Sequence, residues 1–204
     1  MMTLLRIFLV CLLGMAVSAQ AQVIWVEPVF PKESDTVTVY FDASEGNGEL
    51  SGVVPVYAHT GVITNKSTSG SDWKHVVGNW GTDDARVKMT YIGNNVHKLR
   101  YPMKSFYAQG GAFTQGEVIE QMAFVFRNAA GTKVGRSAQG TDIYTPVYST
   151  GLFTKVIWPE GPAVLGNAGS THSFEAWASK DCLLILTLNG DTLQKRSAQD
   201  SLQA

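Results

Sequence analysis

Cysteine is nearly absent from this chain. Its 204 residues include 2 cysteines, Cys11 in an apolar N-terminal segment and Cys182 near the other end. If that segment is removed, no internal disulfide can form, so stability has to come from an ordinary hydrophobic core. Cys182 is followed by the apolar run Leu183 to Leu186. We therefore expect a buried, small hydrophobic residue at this position rather than a reactive thiol.

An excess of charge of either sign is also missing. The chain has 16 basic and 17 acidic side chains, and charged residues make up 16% of it. Disordered tails and domains that bind nucleic acid through net positive charge have a different composition. With 45% hydrophobic residues, the composition is that of a folded globular protein, and we expect no nucleic-acid partner.

Long hydrophobic runs are limited to the N-terminus. Arg6 precedes eleven apolar residues, Ile7 to Val17, and Ala19-Gln20-Ala21 follows with the small residues that a signal peptidase accepts. A membrane anchor is the alternative, but a spanning helix needs about 20 apolar residues. Residues 1–21 are thus predicted to be a signal peptide. The mature protein is then expected to be exported, with no membrane span.

Helical periodicity is missing as well, since apolar residues nowhere keep a 3.6-residue repeat over three turns. Short β-type runs recur instead between turn residues, which predicts an all-β fold with a β-sandwich over residues 22–148. The clearest signals are the alternation from Thr36 to Phe41 and the turn residues Gly93-Asn94-Asn95. Pro55 indicates an edge or an irregular start for its strand. The predicted strands are residues 23–26, 36–41, 53–62, 86–92, 96–101, 117–127 and 142–147.

A boundary is predicted near residues 148–152. Beyond it, residues 153–158, 173–177 and 182–188 have strand patterns, and Asn189-Gly190 predicts a hairpin turn into a further strand. About four strands are too few for a sandwich, which normally needs about seven. We expect residues 152–204 to be the start of a second, truncated β-domain. The alternative is a small extension that packs on the first domain.

Motifs that would indicate catalysis are absent. The sequence has no G-x-S-x-G, no phosphate-binding loop, no G-x-G-x-x-G and no H-E-x-x-H. The histidines His59, His75, His97 and His172 stand far apart without cysteine partners, so we expect no metal site and no cofactor. The adjacent Asp83 and Asp84 do not show the separation across a substrate that glycoside hydrolysis requires.

Aromatic residues are the remaining candidates for function. A polar connection from Tyr57 to Trp80 also contains His59, Trp73 and His75. Exposed Trp and Tyr rings can stack on sugar rings while polar neighbours bond the hydroxyls. We therefore predict carbohydrate-binding roles for Trp73, Trp80, Tyr57 and His59, with Tyr107 as a weaker candidate. The alternative is that the large rings fill the sandwich core.

Three stretches resemble a known family. They are PVYAHTGVITNKSTSGSDWKHVVGNWGTDD, MTYIGNNVHKLRY and EQMAFVFRNAAGTKVGRSAQGTDIYTPV. Together they resemble the N-terminal immunoglobulin-like module of exported, multidomain α-amylase-family proteins of Bacteroidetes, over about residues 24–148. The resemblance implies an immunoglobulin-like sandwich, export by a Gram-negative bacterium to the medium or the cell surface, and a parent enzyme that cleaves α-glucans. The matching stretches carry no catalytic residue.

Three hypotheses follow for function. The first is a non-catalytic accessory module that binds α-glucan or another polysaccharide and orients a downstream catalytic domain of the same polypeptide. The second is a purely structural spacer or interdomain packing module. The third, that this chain hydrolyses glycans by itself, is weakened because no suitable carboxylate arrangement is visible.

Overall fold

A computed structural model describes residues 22–158, 173–188 and 190–198. The predicted signal peptide, residues 1–21, lies outside the described residues. Within the described parts of the chain, no helix has both the length and the apolar character needed to cross a membrane.

The prediction of an all-β fold is confirmed. Thirteen strands are present in the described residues, with one short helix, α1 (Met103–Tyr107), which leads into a 3-10 turn at Ala108–Gly110. The strands are β1 (Ile24–Glu27), β2 (Thr36–Asp42), β3 (Val56–Thr64), β4 (Lys74–Val77), β5 (Thr90–Gly93), β6 (Val96–Pro102), β7 (Ile119–Asn128), β8 (Val134–Gly135), β9 (Ile143–Pro146), β10 (Thr154–Trp158), β11 (Glu175–Ala178), β12 (Cys182–Leu188) and β13 (Asp191–Ala198).

Strands β1 to β9 form a sandwich of two antiparallel sheets. Sheet A has the order β1-β2-β6-β5, and sheet B has the order β4-β3-β7-β8, with β9 also paired to β7. Their inner faces share one core, in which Phe41 of sheet A stacks on Phe126 of sheet B with ring centroids 3.9 Å apart. The buried members of that core all come from residues 24–143.

Side-chain alternation explains why the sheets face each other in this way. On β2, Val37, Val39 and Phe41 are at most 1% exposed, because successive side chains of a strand point to opposite faces and these three share the inner one. On β7, Met122 and Phe124 belong to the shared core, whereas Ala123 between them does not, although both faces of this strand are buried there. The predicted faces of both strands are confirmed.

Other features were not predicted. Strand β4 lies in a connection that the sequence predicted to be a loop. Its four residues show no readable alternation, and one of them, His75, has a φ of 52°. Strand β3 is central in sheet B, so the edge position is wrong, and it begins at Val56, directly after Pro55, rather than at residue 53. Helix α1 has 5 residues, too few to show a helical period.

Beyond the sandwich, the described residues form two antiparallel strand pairs, β10 with β11 and β12 with β13, which we call the hairpins. Their link to the sandwich is a chain of rings: Tyr148 packs edge-on against Phe30 of the sandwich at 5.2 Å and against Phe153 at 4.8 Å. Phe153 is joined in turn to the residue after β11, because the backbone N–H of Ser179 donates to the Phe153 carbonyl oxygen at 2.9 Å. That residues 152–204 begin a truncated domain stays a prediction.

Candidate functional site

Three of the five sequence-predicted aromatic residues meet on the outer face of sheet B. His59 lies on β3, Trp73 comes directly before β4, and Trp80 lies in the loop after it. A fourth ring, Tyr144 of β9, joins them. We call these four residues the aromatic strip.

Neighbouring rings of the aromatic strip contact one another in sequence. Tyr144 and Trp73 are 6.3 Å apart between centroids at an interplanar angle of 84°. Trp73 and His59 are 6.1 Å apart and closer to parallel, at 28°. His59 and Trp80 are 5.4 Å apart at 86°. Two nearly parallel rings thus lie between two rings that stand almost perpendicular to them.

The strand register places a flat patch of sheet beneath Trp73. Gly61 of β3 pairs with Ala123 of β7, which in turn pairs with Tyr144. A Cβ atom at Gly61 would lie 3.3 Å from the Trp73 ring and 3.0 Å from the Lys74 carbonyl oxygen. The missing side chain therefore lets the indole and β4 pack close to the sheet.

The strip keeps exposed surface, as a binding face must. Trp80 is 46% exposed and Tyr144 is 36% exposed, whereas Trp73 and His59 are half-buried. None of the four belongs to the shared core of the sandwich. The alternative that Trp73 and Trp80 fill that core is not what the structure shows.

Hydrogen-bonding atoms are also available on the strip. His59 Nδ1 lies 2.7 Å from the Gly78 carbonyl oxygen, to which it must donate, so a neutral ring presents Nε2 as an acceptor. Trp73 Nε1 donates to the Tyr144 hydroxyl at 3.1 Å, which leaves the hydroxyl proton of Tyr144 free to be donated elsewhere. The strip thus offers one acceptor and one donor beside its apolar ring faces.

Tyr57 is not part of this surface, which corrects the sequence prediction. It shares the outer face of β3 with His59, but the loop after β4 covers it and it has no exposed surface. Its hydroxyl donates to Asp83 Oδ1 at 2.6 Å. Burial is the main reason that the pKa of Tyr57 is raised, and this hydrogen bond adds to it. The same bond lowers the pKa of Asp83.

Tyr107 is corrected in the same way. It lies at the end of α1 with no exposed surface, and its hydroxyl contacts Thr60 Oγ1 at 2.8 Å and the Tyr101 hydroxyl at 3.1 Å. Burial raises its pKa well above the usual value. Its ring belongs to the core, and its hydroxyl forms its hydrogen bonds inside the protein.

A buried pair of hydrogen-bonded polar side chains, His75 and Glu117, was missed by the sequence interpretation. His75 Nε2 lies 2.9 Å from Glu117 Oε1, and His75 Nδ1 lies 2.8 Å from the Gly111 carbonyl oxygen. Both ring nitrogens face oxygen atoms, and Nδ1 donates to the Gly111 carbonyl oxygen, which can only accept. Hydrogen bonds, first from the Thr114 N–H and then from His75, lower the pKa of Glu117 to about 2 against the opposing effect of burial.

This pair is a clamp rather than a catalytic dyad. A general base needs a free nitrogen within reach of the proton it removes, and both nitrogens of His75 are already occupied. The pair is separated by 42 positions in sequence, so no local motif could have shown it. It fastens the loop before β7 to strand β4.

Comparisons and metal chemistry add no further assignment. No protein-family model matches the chain, and no curated protein matches it significantly. In residues 22–158, 173–188 and 190–198, no group of three or more His, Cys, Asp or Glu side chains is placed to hold a metal ion. The aromatic strip, with its adjoining and partly exposed rings, is the candidate site.

Proposed function

We propose that this chain is a non-catalytic, carbohydrate-binding accessory module that holds polysaccharide on the aromatic strip. The observation that carries the proposal is the set of four adjoining rings on one sheet face, of which Trp80 and Tyr144 keep at least a third of their surface exposed.

Sugar chemistry fits this surface. The C–H faces of a hexose are apolar and pack on flat aromatic rings, whereas its hydroxyls both donate and accept hydrogen bonds. His59 Nε2 and the Tyr144 hydroxyl can supply one acceptor and one donor beside those rings. An uncharged polysaccharide therefore fits better than a charged ligand, which would need a countercharge on the strip.

Support for α-glucan as the ligand comes from the sequence. The resemblance to modules of exported α-amylase-family proteins and the predicted signal peptide together support an extracellular glucan and a catalytic domain in the same polypeptide. Export to the medium or cell surface of a Gram-negative bacterium is part of the same proposal.

The test is depletion of the purified chain from solution by insoluble starch. The wild type is expected to bind, and the double variant Trp73→Ala, Trp80→Ala is expected to stay in solution. Trp25→Ala is the matched control, because Trp25 stacks on Tyr40 at 5.0 Å on the outer face of the opposite sheet. Circular dichroism and thermal melting check that each variant folds.

Two results would contradict the proposal. One is a wild type that remains unbound by starch and by soluble α-glucans at millimolar concentration. The other is loss of binding in Trp25→Ala that equals the loss in the double variant.

A second candidate function is a structural spacer, favoured by the ring chain Phe30, Tyr148 and Phe153 at the junction. These contacts hold the residues after position 153 against the sandwich. A spacer without ligand binding would show no starch retention but would keep a fixed orientation across residue 148, measurable by small-angle scattering.

A further inference from the structure

Arg127 is a fully buried cation directly beneath the loop that carries Trp80. It lies on the outer face of β7 with no exposed surface and is the largest of the fully buried side chains in the described residues. Burial lowers its pKa, but an arginine stays charged at neutral pH. Such a group is costly to bury unless its protons are bonded.

The guanidinium group donates to backbone carbonyls of two loops. Nη2 donates to the Asn79 oxygen at 2.5 Å and to the Thr82 oxygen at 2.8 Å. Nη1 donates to the Asn128 oxygen at 3.0 Å and to the Ala129 oxygen at 3.1 Å. Since a guanidinium is a rigid planar fork, these bonds fix both loops relative to each other.

Tyr57 supports the guanidinium from one side. Its ring centroid lies 4.9 Å from Arg127 Cζ, within the range of a cation–π contact. The Tyr57 hydroxyl is anchored on Asp83 at 2.6 Å, in the loop that Arg127 holds. The sequence-predicted Tyr57 is therefore placed under the strip, not on it.

Both loops held by Arg127 also define where Trp80 sits. Trp80 lies between Asn79 and Thr82, and its indole packs against Gly131 of the second loop. A Cβ atom at Gly131 would lie 2.5 Å from Trp80 Nε1, so the contact depends on the missing side chain.

We infer that Arg127 is the positioning residue of the aromatic strip: its guanidinium sets the orientation of Trp80, with the Tyr57 ring as its support. The consequence for glycan binding rests on the proposed function. The consequence for the position of Trp80 does not.

The test compares Arg127→Met and Arg127→Lys with the wild type. Lysine keeps the charge but has no planar fork, so it should not restore the four bonds. Lys88→Met is the matched control, because Lys88 Nζ also lies over Tyr57, at 5.6 Å, but contacts neither the Asn79 nor the Thr82 carbonyl. The readouts are the NMR signal of the Trp80 indole N–H, assigned with Trp80→Phe, and the affinity for soluble maltooligosaccharides.

Both Arg127 variants are expected to shift or broaden the Trp80 signal and leave that of Trp25 unchanged. Affinity should fall about tenfold, which equals ~1.4 kcal/mol. Lys88→Met should change neither readout. Unchanged Trp80 signal and affinity in a folded Arg127 variant with a lowered Tm would overturn the inference, because Arg127 would then act on stability alone.

A glycine pair covers the case in which the Arg127 variants do not fold. Gly131 and Gly140 have φ values of 70° and 73°, so alanine meets the same backbone strain at both, but only Gly131 contacts Trp80. Gly131→Ala should move the Trp80 signal and Gly140→Ala should not. A Trp80 signal that is the same in both variants would count against the inference, because the position of Trp80 would then not depend on the loop that Arg127 holds. If the wild type binds no glucan but the variants still shift the Trp80 signal, the proposed function is wrong and the positioning role of Arg127 remains.

Discussion

The sandwich and the two hairpins beyond it use similar strands with different outcomes. In the sandwich, the inner faces of two sheets bury rings such as Phe41 and Phe126 completely. In the hairpins, Leu183, Ile185 and Leu193 remain more than half exposed. A cavity of about 640 Å³ lies between the hairpins, lined in part by Leu184 and Phe174.

The difference follows from layering: in the described residues, two sheets face each other in the sandwich, whereas side chains such as Leu183 and Ile185 of β12 stay exposed. Strand β12 is apolar on both faces, as strands buried on both sides usually are, yet its described neighbour is the exposed strand β13. Side chains of this region become buried close to the sandwich, where Ala178 and Ser179 are each only 3% exposed.

The largest expected effect is on stability and tests this comparison directly. Phe126→Ala should lower the free energy of unfolding by about 3–5 kcal/mol, because it removes a ring from a sealed core. Ile185→Ala should change it by less than ~0.5 kcal/mol, as exposed substitutions do. Urea unfolding followed by tryptophan fluorescence measures both. A comparable loss in Ile185→Ala would mean that the hairpins have a sealed core of their own.

A smaller effect concerns the His75–Glu117 clamp of the sandwich. Glu117→Gln should cost about 1–3 kcal/mol, because the amide keeps only one of the two oxygens that accept from Thr64, His75 and Thr114 and so leaves buried donors unpaired. The clamp should also make the sandwich acid-sensitive. The folded pKa of Glu117, about 2, lies below the ordinary 4.5, so its stabilisation is present above pH 4.5 and is lost as the pH falls towards 2.

Thermal melting at several pH values measures this dependence. The wild type should lose Tm between pH 4.5 and 2 more steeply than Glu117→Gln. Parallel curves for the two proteins would show that the clamp does not contribute in this range.

The smallest expected effect concerns the rate at which Cys182 on β12 reacts with a thiol reagent. This thiol is half-buried and free, although the sequence favoured a buried residue. We expect a thiol reagent to label it in the native protein on the timescale seen in denaturant, without a change in the circular dichroism of the sandwich. Cys182→Ser is the control. Labelling that begins only when the sandwich unfolds would remove the distinction between the two regions.

Alternation predicted the fold better than it predicted the site. The patterns of β2 and β7 are regular enough to show which side chains face inwards, and the membership of the shared core confirms them. Periodicity also places Tyr57 and His59 on one face of β3, but it cannot show that a loop covers the first and leaves the second accessible.

Contacts over long sequence separations explain the rest. Tyr144 lies 71 positions from Trp73, and the two meet only because β9 pairs with β7 beside β3. Arg127 contacts carbonyls 45 and 48 positions away. Such contacts follow from strand register, which the sequence pattern alone does not determine for this sheet.

Gly61 has a consequence for how this surface can evolve. The close approach of β4 and the Trp73 indole to β3 leaves no room for a side chain at this position without displacing its neighbours. Substitutions at Gly61 and at Trp73 should therefore co-vary among homologues: lineages that keep the indole should keep the glycine, and lineages that acquire a larger residue at 61 should have lost the indole.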